Sequence, residues 1–155
     1  MGSIRRVSVA VLVVTLFASA APAGSLAAPA CPPTKEDLLG PFYEPNAPVR
    51  SSVGKGHVLR GTVRSSVDCS PIPDARVELW LAGPNGYDDD HRATVVADAA
   101  GRYAFESEFP GPFERRPAHI HVRVAHAGYR TLVTQQYPTE AQAEATFDLV
   151  LRPAR

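Results

Sequence analysis

The chain has 155 residues, with 16 Lys and Arg against 16 Asp and Glu, so its formal net charge is zero. That length fits one domain. The sequence carries neither a basic patch suited to nucleic acid nor an acidic run suited to a disordered tail, so no nucleic-acid partner is expected.

At the N-terminus, Arg5 and Arg6 precede an apolar run from Val7 to Ala20. Small residues follow, with Ala-x-Ala patterns at Ala21–Ala23 and Ala28–Ala30. This is the pattern of a secretory signal peptide over residues 1–30, cleaved near Ala23 or Ala30, which leaves one domain over 31–155. The apolar run is short for a membrane span, so a secreted protein free of the membrane is expected after cleavage. Two other readings are an uncleaved anchor and a lipoprotein processed at Cys31, although the leucine-led lipoprotein pattern is missing. Export implies an oxidising compartment, so Cys31 and Cys69 are expected to pair and to tie the N-terminal arm down.

Fifteen prolines and eleven glycines leave little room for long helices. The arm offers one short helix candidate, Thr34–Leu39, with Thr34 as N-cap and Asp37 at the third helical position. Strand patterns dominate beyond it. His57–Val63 alternates apolar with polar residues. Ala75–Leu81 puts Val77, Leu79 and Leu81 on one face. Thr94–Ala97, Arg102–Glu106, His119–Ala125, Arg130–Gln135 and Thr146–Leu151 complete the set, and Thr139–Ala145 allows a turn of helix. Turn residues at 70–74, 83–86, 98–101 and 110–112 separate these runs. About seven short strands at this spacing predict an all-β, single-domain antiparallel sandwich or barrel with little helix.

The strongest local feature is Arg-Pro-Ala-His-Ile-His at 116–121. His119 and His121 are two apart in a strand-like run, so both point to one face and can form half of a metal site. A pair of exposed surface histidines has the same spacing.

Taken together, residues 39–151 resemble the intradiol ring-cleavage dioxygenases, in their small secreted branch. The matching pieces are LLGPFYEPNAPVR (38–50), PIPDARVELWLA (71–82), NGYDDD (85–90), DAAGRYAF (98–105), PGPFERRPAHIHVRV (110–124) and LVTQQY (132–137), in the family's order. The resemblance implies a prealbumin-like sandwich holding a non-haem Fe(III) ion. Tyr87, His119 and His121 match three of the family's iron ligands. A hard, highly charged cation suits a phenolate and lowers the tyrosine pKa. Arg116 and Gln135 match the family's catalytic arginine and glutamine beside the substrate. The implied reaction opens a catechol-type ring with O2 between its two hydroxyl-bearing carbons, giving a muconate-type diacid. Phe42, Tyr43 and Phe113 are expected to wall the substrate pocket.

One departure matters. The family's second tyrosine ligand falls at Phe113, which has no oxygen to offer. Either water or hydroxide completes the centre, or a nearby Glu114, Asp88, Asp90 or His91 substitutes, or the chemistry has changed. Three protein ligands still suffice for an open catalytic metal centre. Alternative readings are therefore a relative transforming another phenolic metabolite and a non-catalytic secreted β-sandwich binding module. The latter would need only the turn and core residues Gly61, Val63, Pro73, Ala75, Val77, Leu79, Asp98, Gly101, Tyr103 and Phe105. The arm is too short for the long helical dimer contact of larger catechol dioxygenases, so a monomer or simple homodimer is expected.

Overall fold

Alternating apolar and polar residues form strands when turn residues bound them and one face can be buried. The computed structural model describes residues 2, 31–139 and 142–155. The expected signal segment, Gly2 excepted, lies outside the described residues. Among the described residues, eight strands follow in chain order: β1 (His57–Ser65), β2 (Arg76–Leu81), β3 (Arg92–Val96), β4 (Arg102–Ser107), β5 (Ile120–Ala125), β6 (Leu132–Gln136), β7 (Glu144–Thr146) and β8 (Leu149–Leu151). One sheet runs β4-β1-β7, with β8 pairing farther along β1. The other runs β3-β2-β5-β6 and is antiparallel throughout. The protein is an all-β sandwich. Its one helical element among the described residues is a 3-10 turn at Asp89–His91.

The core lies between the sheets. Val77, Leu79 and Leu81 of β2 face it, as do Ile120, Val122 and Val124 of β5, and none is more than 1% exposed. Each such side chain contributes roughly 1.5–3 kcal/mol on burial. The same alternation decides where the polar face goes. Trp80 pairs with His121, and Glu78 pairs with Arg123, across β2 and β5. Gln135 of β6 sits opposite His121 on the other side. Trp80, His121 and Gln135 are thus gathered on the outer face of this sheet.

Three local expectations are corrected. Thr34–Leu39 forms no helix; it is an extended arm laid along the sandwich. Thr34 N–H donates to the Val150 carbonyl at 3.1 Å, and Asp37 N–H donates to the Val133 carbonyl at 2.9 Å. Six residues are too few to sustain a helix alone, and these tertiary hydrogen bonds win. Thr34 caps nothing: its hydroxyl accepts from Val150 N–H at 2.8 Å. Of the helical turn expected at Thr139–Ala145, one turn-closing bond is present, Gln142 N–H donating to the Thr139 carbonyl at 2.9 Å, but the span ends in β7, which pairs parallel with β1, and residues 140 and 141 are outside the described set. The strand expected at Thr146–Leu151 is broken at Phe147–Asp148, where the Asp148 carboxylate takes over and accepts from Thr62 N–H at 2.8 Å. β7 and β8 both run parallel to β1, so the first sheet is mixed rather than purely antiparallel.

Cys31 and Cys69 form a disulfide with 5.3 Å between their Cα atoms. It fixes the start of the arm to the loop after β1. No helix among the described residues is long and apolar enough to cross a membrane.

Candidate metal centre

The tetrapeptide Gly83–Gly86 closes a tight turn, with Gly83 N–H donating to the Gly86 carbonyl at 2.9 Å and the reverse bond at 3.1 Å. Gly86 has a φ of +98°, a conformation that glycine adopts without strain. The turn delivers Tyr87 to the outer face of the β3-β2-β5-β6 sheet. There the Tyr87 hydroxyl lies 3.0 Å from His119 Nε2 and 3.1 Å from His121 Nε2. The two Nε2 atoms are 3.1 Å apart.

Three donor atoms thus form a nearly equilateral triangle. Hydrogen bonding alone does not satisfy it. His119 Nδ1 lies 2.7 Å from the Pro117 carbonyl and uses its proton there. With neutral imidazoles, the tyrosine hydroxyl and one imidazole N–H at most remain to serve three close contacts. Two protons cannot serve three edges, so one contact is left without a hydrogen bond of its own, and a cation would satisfy all three donors at once. Donors that share an ion at about 2.1 Å and meet it at right angles stand about 3.0 Å apart. The residues therefore fit an octahedrally inclined metal ion. Among the described residues, His, Cys, Asp and Glu form no metal-holding group of three; the third donor here is a phenol.

The second ring of contacts fixes the triangle. His121 is 2% exposed. Trp80 stacks on it with centroids 4.8 Å apart and planes 5° apart. The arm crosses at Gly40, φ +77°, where an added Cβ would lie 3.0 Å from His121 Cε1. His121 Nδ1 is buried with no hydrogen bond of normal geometry. Burial, then the neighbouring His119, then Arg116 depress the His121 pKa to about 4, against weaker pulls from the Leu38 carbonyl and Asp37. Burial also lowers His119, opposed by the Pro117 carbonyl. Both rings are therefore neutral at pH 7, as metal ligands must be. Burial raises the Tyr87 pKa and Arg116 opposes it, so without a cation Tyr87 is a neutral phenol.

A pH dependence follows. Because the His121 pKa is lower in the fold than its ordinary 6.5, the folded chain binds fewer protons than the unfolded chain between those values. The metal-free protein is expected to hold this stability above pH 6.5 and lose it as pH falls towards about 4. Carboxylates such as Asp98 and Asp37, lowered from 3.8, act only below that window. Thermal melting against pH should slope less over this range in His121→Gln than in the wild type; equal slopes would contradict the assignment.

Arg116 and Gln135 meet beside the triangle. Arg116 Nη2 donates to Gln135 Oε1 at 2.5 Å and to the Tyr137 hydroxyl at 3.0 Å. Gln135 Nε2 donates to the Leu38 carbonyl at 2.5 Å, fastening the arm. Phe42 stacks on Tyr87 with centroids 4.6 Å apart, and Phe113 meets Tyr87 edge-on at 5.1 Å. These two pocket candidates are thus brought to the site. Tyr43 is not: its ring leans on Trp80 at 5.2 Å and its hydroxyl donates to Glu78 at 3.2 Å, so it braces the wall from behind. Asp88 accepts from the Asp90 and His91 backbone and from the His91 ring. That bonding turns Asp88 and His91 to capping the 3-10 turn. Glu114 occupies a positive-φ position, and neither it nor Asp90 bonds to the triangle.

A cleft of about 120 Å³ bounded by Phe42, Trp80 and Tyr87 opens on one side, and one of about 390 Å³ beside Asp37, Gln135 and Tyr137 on another. A wider opening of about 500 Å³ around Arg60 and Tyr103 lies on the opposite sheet, shares no residue with the site, and lacks its donors. Sequence reasoning missed Trp80, Gly40, Asp37 and Tyr137. Only Tyr137 had a usable signal, since it stands two residues after Gln135 and continues the same strand face.

No family model matches the chain. Among curated proteins, catechol 1,2-dioxygenase of Candida albicans is 30% identical over 146 residues, covering 69% of this chain and 48% of that protein. An intradiol ring-cleavage dioxygenase of Aspergillus niger is 27% identical over 145 residues, covering 70% and 46%. The chain therefore spans about half the length of the curated relatives it matches. Among solved structures, the dioxygenase domain of a dioxygenase–carbohydrate-binding protein fusion from Streptomyces sp. SirexAA-E shares the fold with a TM-score of 0.69 at 23% identity, covering 79% of this chain and all of that one. By its sequence relatives and its sandwich, the chain belongs to the intradiol ring-cleavage dioxygenase family.

Proposed function

We propose that this chain is an exported, Fe(III)-dependent enzyme that opens a catechol-type ring with O2 between its hydroxyl-bearing carbons. The observation that carries the proposal is the triangle of Tyr87, His119 and His121, with its 3.0–3.1 Å edges. The names of the relatives support the substrate class. When bound, a ferric ion would draw electron density from a catecholate and make its ring reactive towards O2.

The chain's own residues supply the rest. Neutral His119 and His121 present Nε2 lone pairs, and Tyr87 would release its proton to solvent on metal binding and become the anionic donor. Arg116 offers a fixed guanidinium to negative charge developing on the substrate, which acts by electrostatic preorganisation. Gln135 holds that guanidinium and the arm together. Phe42 stacked on Tyr87 and Phe113 at its edge give the phenol apolar neighbours. Export is supported by the Arg5–Arg6 charge, the apolar run after it and the disulfide.

Phe113 favours a second reading. It faces Tyr87 from the family's second-tyrosine position without an oxygen, so the chemistry can have moved to another phenolic compound. Oxygen uptake by the iron-loaded chain separates the two. With catechol we expect O2 consumption and a muconate-type diacid. Phe113→Tyr should deepen the visible colour and raise the rate by about 100-fold, the low end of what one positioned proton acceptor contributes. No O2 uptake with catechol, chlorocatechol or hydroxyquinol, in either protein, would overturn ring cleavage.

A further inference from the structure

The N-terminal arm brings a carboxylate to the site that the reaction outlined above does not use. Asp37 Oδ2 accepts from the Tyr137 hydroxyl at 2.9 Å. The Tyr137 oxygen in turn accepts from Arg116 Nη2 at 3.0 Å, and it stands 2.9 Å from Gln135 Oε1. The hydroxyl has one proton. With Gln135 Oε1 already accepting from Arg116, the carboxylate is the stronger claimant on it. That choice leaves the Tyr137 lone pairs facing Arg116, so the hydroxyl receives from the guanidinium.

Asp37 is itself held rigidly. Its Oδ1 accepts from Leu38 N–H at 2.7 Å, and its own N–H donates to the Val133 carbonyl at 2.9 Å. The next residue along the arm, Leu38, is the one whose carbonyl Gln135 grips. The chain Asp37–Tyr137–Arg116–Gln135–Leu38 therefore begins and ends on the arm. Arg116 has one nitrogen, Nη2, tied to two acceptors by this loop, and its remaining N–H groups carry no such restraint.

We propose that Asp37, acting through Tyr137, is a positioning residue that fixes the Arg116 guanidinium for anionic substrate. The inference rests on the proposed function for what Arg116 meets, but the positioning itself is measurable without iron or substrate. In the full-length metal-free chain, ¹⁵N NMR should show distinct, slowly exchanging Nη signals for Arg116. Those signals should merge in the near-isosteric variants Asp37→Asn and Tyr137→Phe, and Asp37→Glu should restore them in part. Unmerged signals in both variants would overturn the inference whatever the protein's activity.

A binding measurement gives the functional arm. In the iron-loaded chain, Asp37→Asn should weaken binding of 4-nitrocatechol by about fivefold to tenfold, the upper part of the range for one ordinary hydrogen bond, because the amide oxygen accepts from Tyr137 less strongly than the carboxylate. In an Arg116→Met background the same substitution should have no further effect. An undiminished effect there would mean that Asp37 merely anchors the arm, and the inference would fall. A wild-type chain that binds no 4-nitrocatechol, yet shows the NMR behaviour, would overturn the proposed function and leave the positioning standing.

Discussion

His121→Ala is expected to lower iron affinity by about 100-fold or more, since removing a direct ligand costs at least as much as removing a ligand's supporting partner. His121 supplies one corner of the triangle, and no described side chain stands ready to replace it. Its ring is clasped by Trp80 and by the backbone at Gly40, so the substitution leaves a cavity in the site wall rather than in the sandwich core. The fold should survive, with a loss of roughly 1–3 kcal/mol. His126→Ala is the natural comparison, because His126 lies past the end of β5 and bonds only locally, to the Ala127 carbonyl. Iron content by elemental analysis, read beside the melting temperature of each variant, checks the expectation. Stoichiometric iron in His121→Ala would refute the ligand assignment.

The second large effect concerns the arm. Cys31 and Cys69 are separated by 38 positions, and closing a loop of that length in the unfolded chain corresponds to about 4 kcal/mol. The Cys31→Ser/Cys69→Ser double variant should therefore melt roughly 10–20 °C below the wild type. Reduction of the wild type should do the same, as would production in a reducing compartment. The arm beyond Cys31 carries Asp37, the Leu38 carbonyl, Gly40 and Phe42 to the site. Loosening it should weaken catechol binding more than iron binding, because the three donors proposed for iron, Tyr87, His119 and His121, stand on the sandwich and its loops. Unchanged melting in the double variant would show that the arm's backbone hydrogen bonds to β6 and β8 hold it without the bridge.

The residues themselves announce much of this arrangement. Val77-x-Leu79-x-Leu81 and Ile120-x-Val122-x-Val124 alternate strictly, so their inward faces could be read from period alone. The same rule places His119 and His121 together. Gly-Pro-Asn-Gly at 83–86 marks the turn that delivers Tyr87. The arm misleads because Thr34 and Asp37 mimic a helix start, while the groups that claim its backbone, Val133 and Val150, lie about a hundred residues away. The same distance hides the Asp37–Tyr137 bond. Trp80 is concealed differently: its alternation shows that it faces away from Leu79, but only the β2–β5 register shows that it stacks on His121. No local pattern designates Tyr87 as a third donor; family resemblance alone implies that role, and the structure shows its hydroxyl 3.0 Å from His119 Nε2.

The most direct test of the central claim is the iron content and visible spectrum of the full-length, disulfide-bonded chain before and after catechol is added, with Tyr87→Phe measured alongside. The account predicts about one iron per chain, a phenolate-to-iron absorption band that shifts when catechol binds, and loss of that band in Tyr87→Phe. A chain that stays colourless and metal-free after iron loading would contradict it, as would a band that survives in Tyr87→Phe.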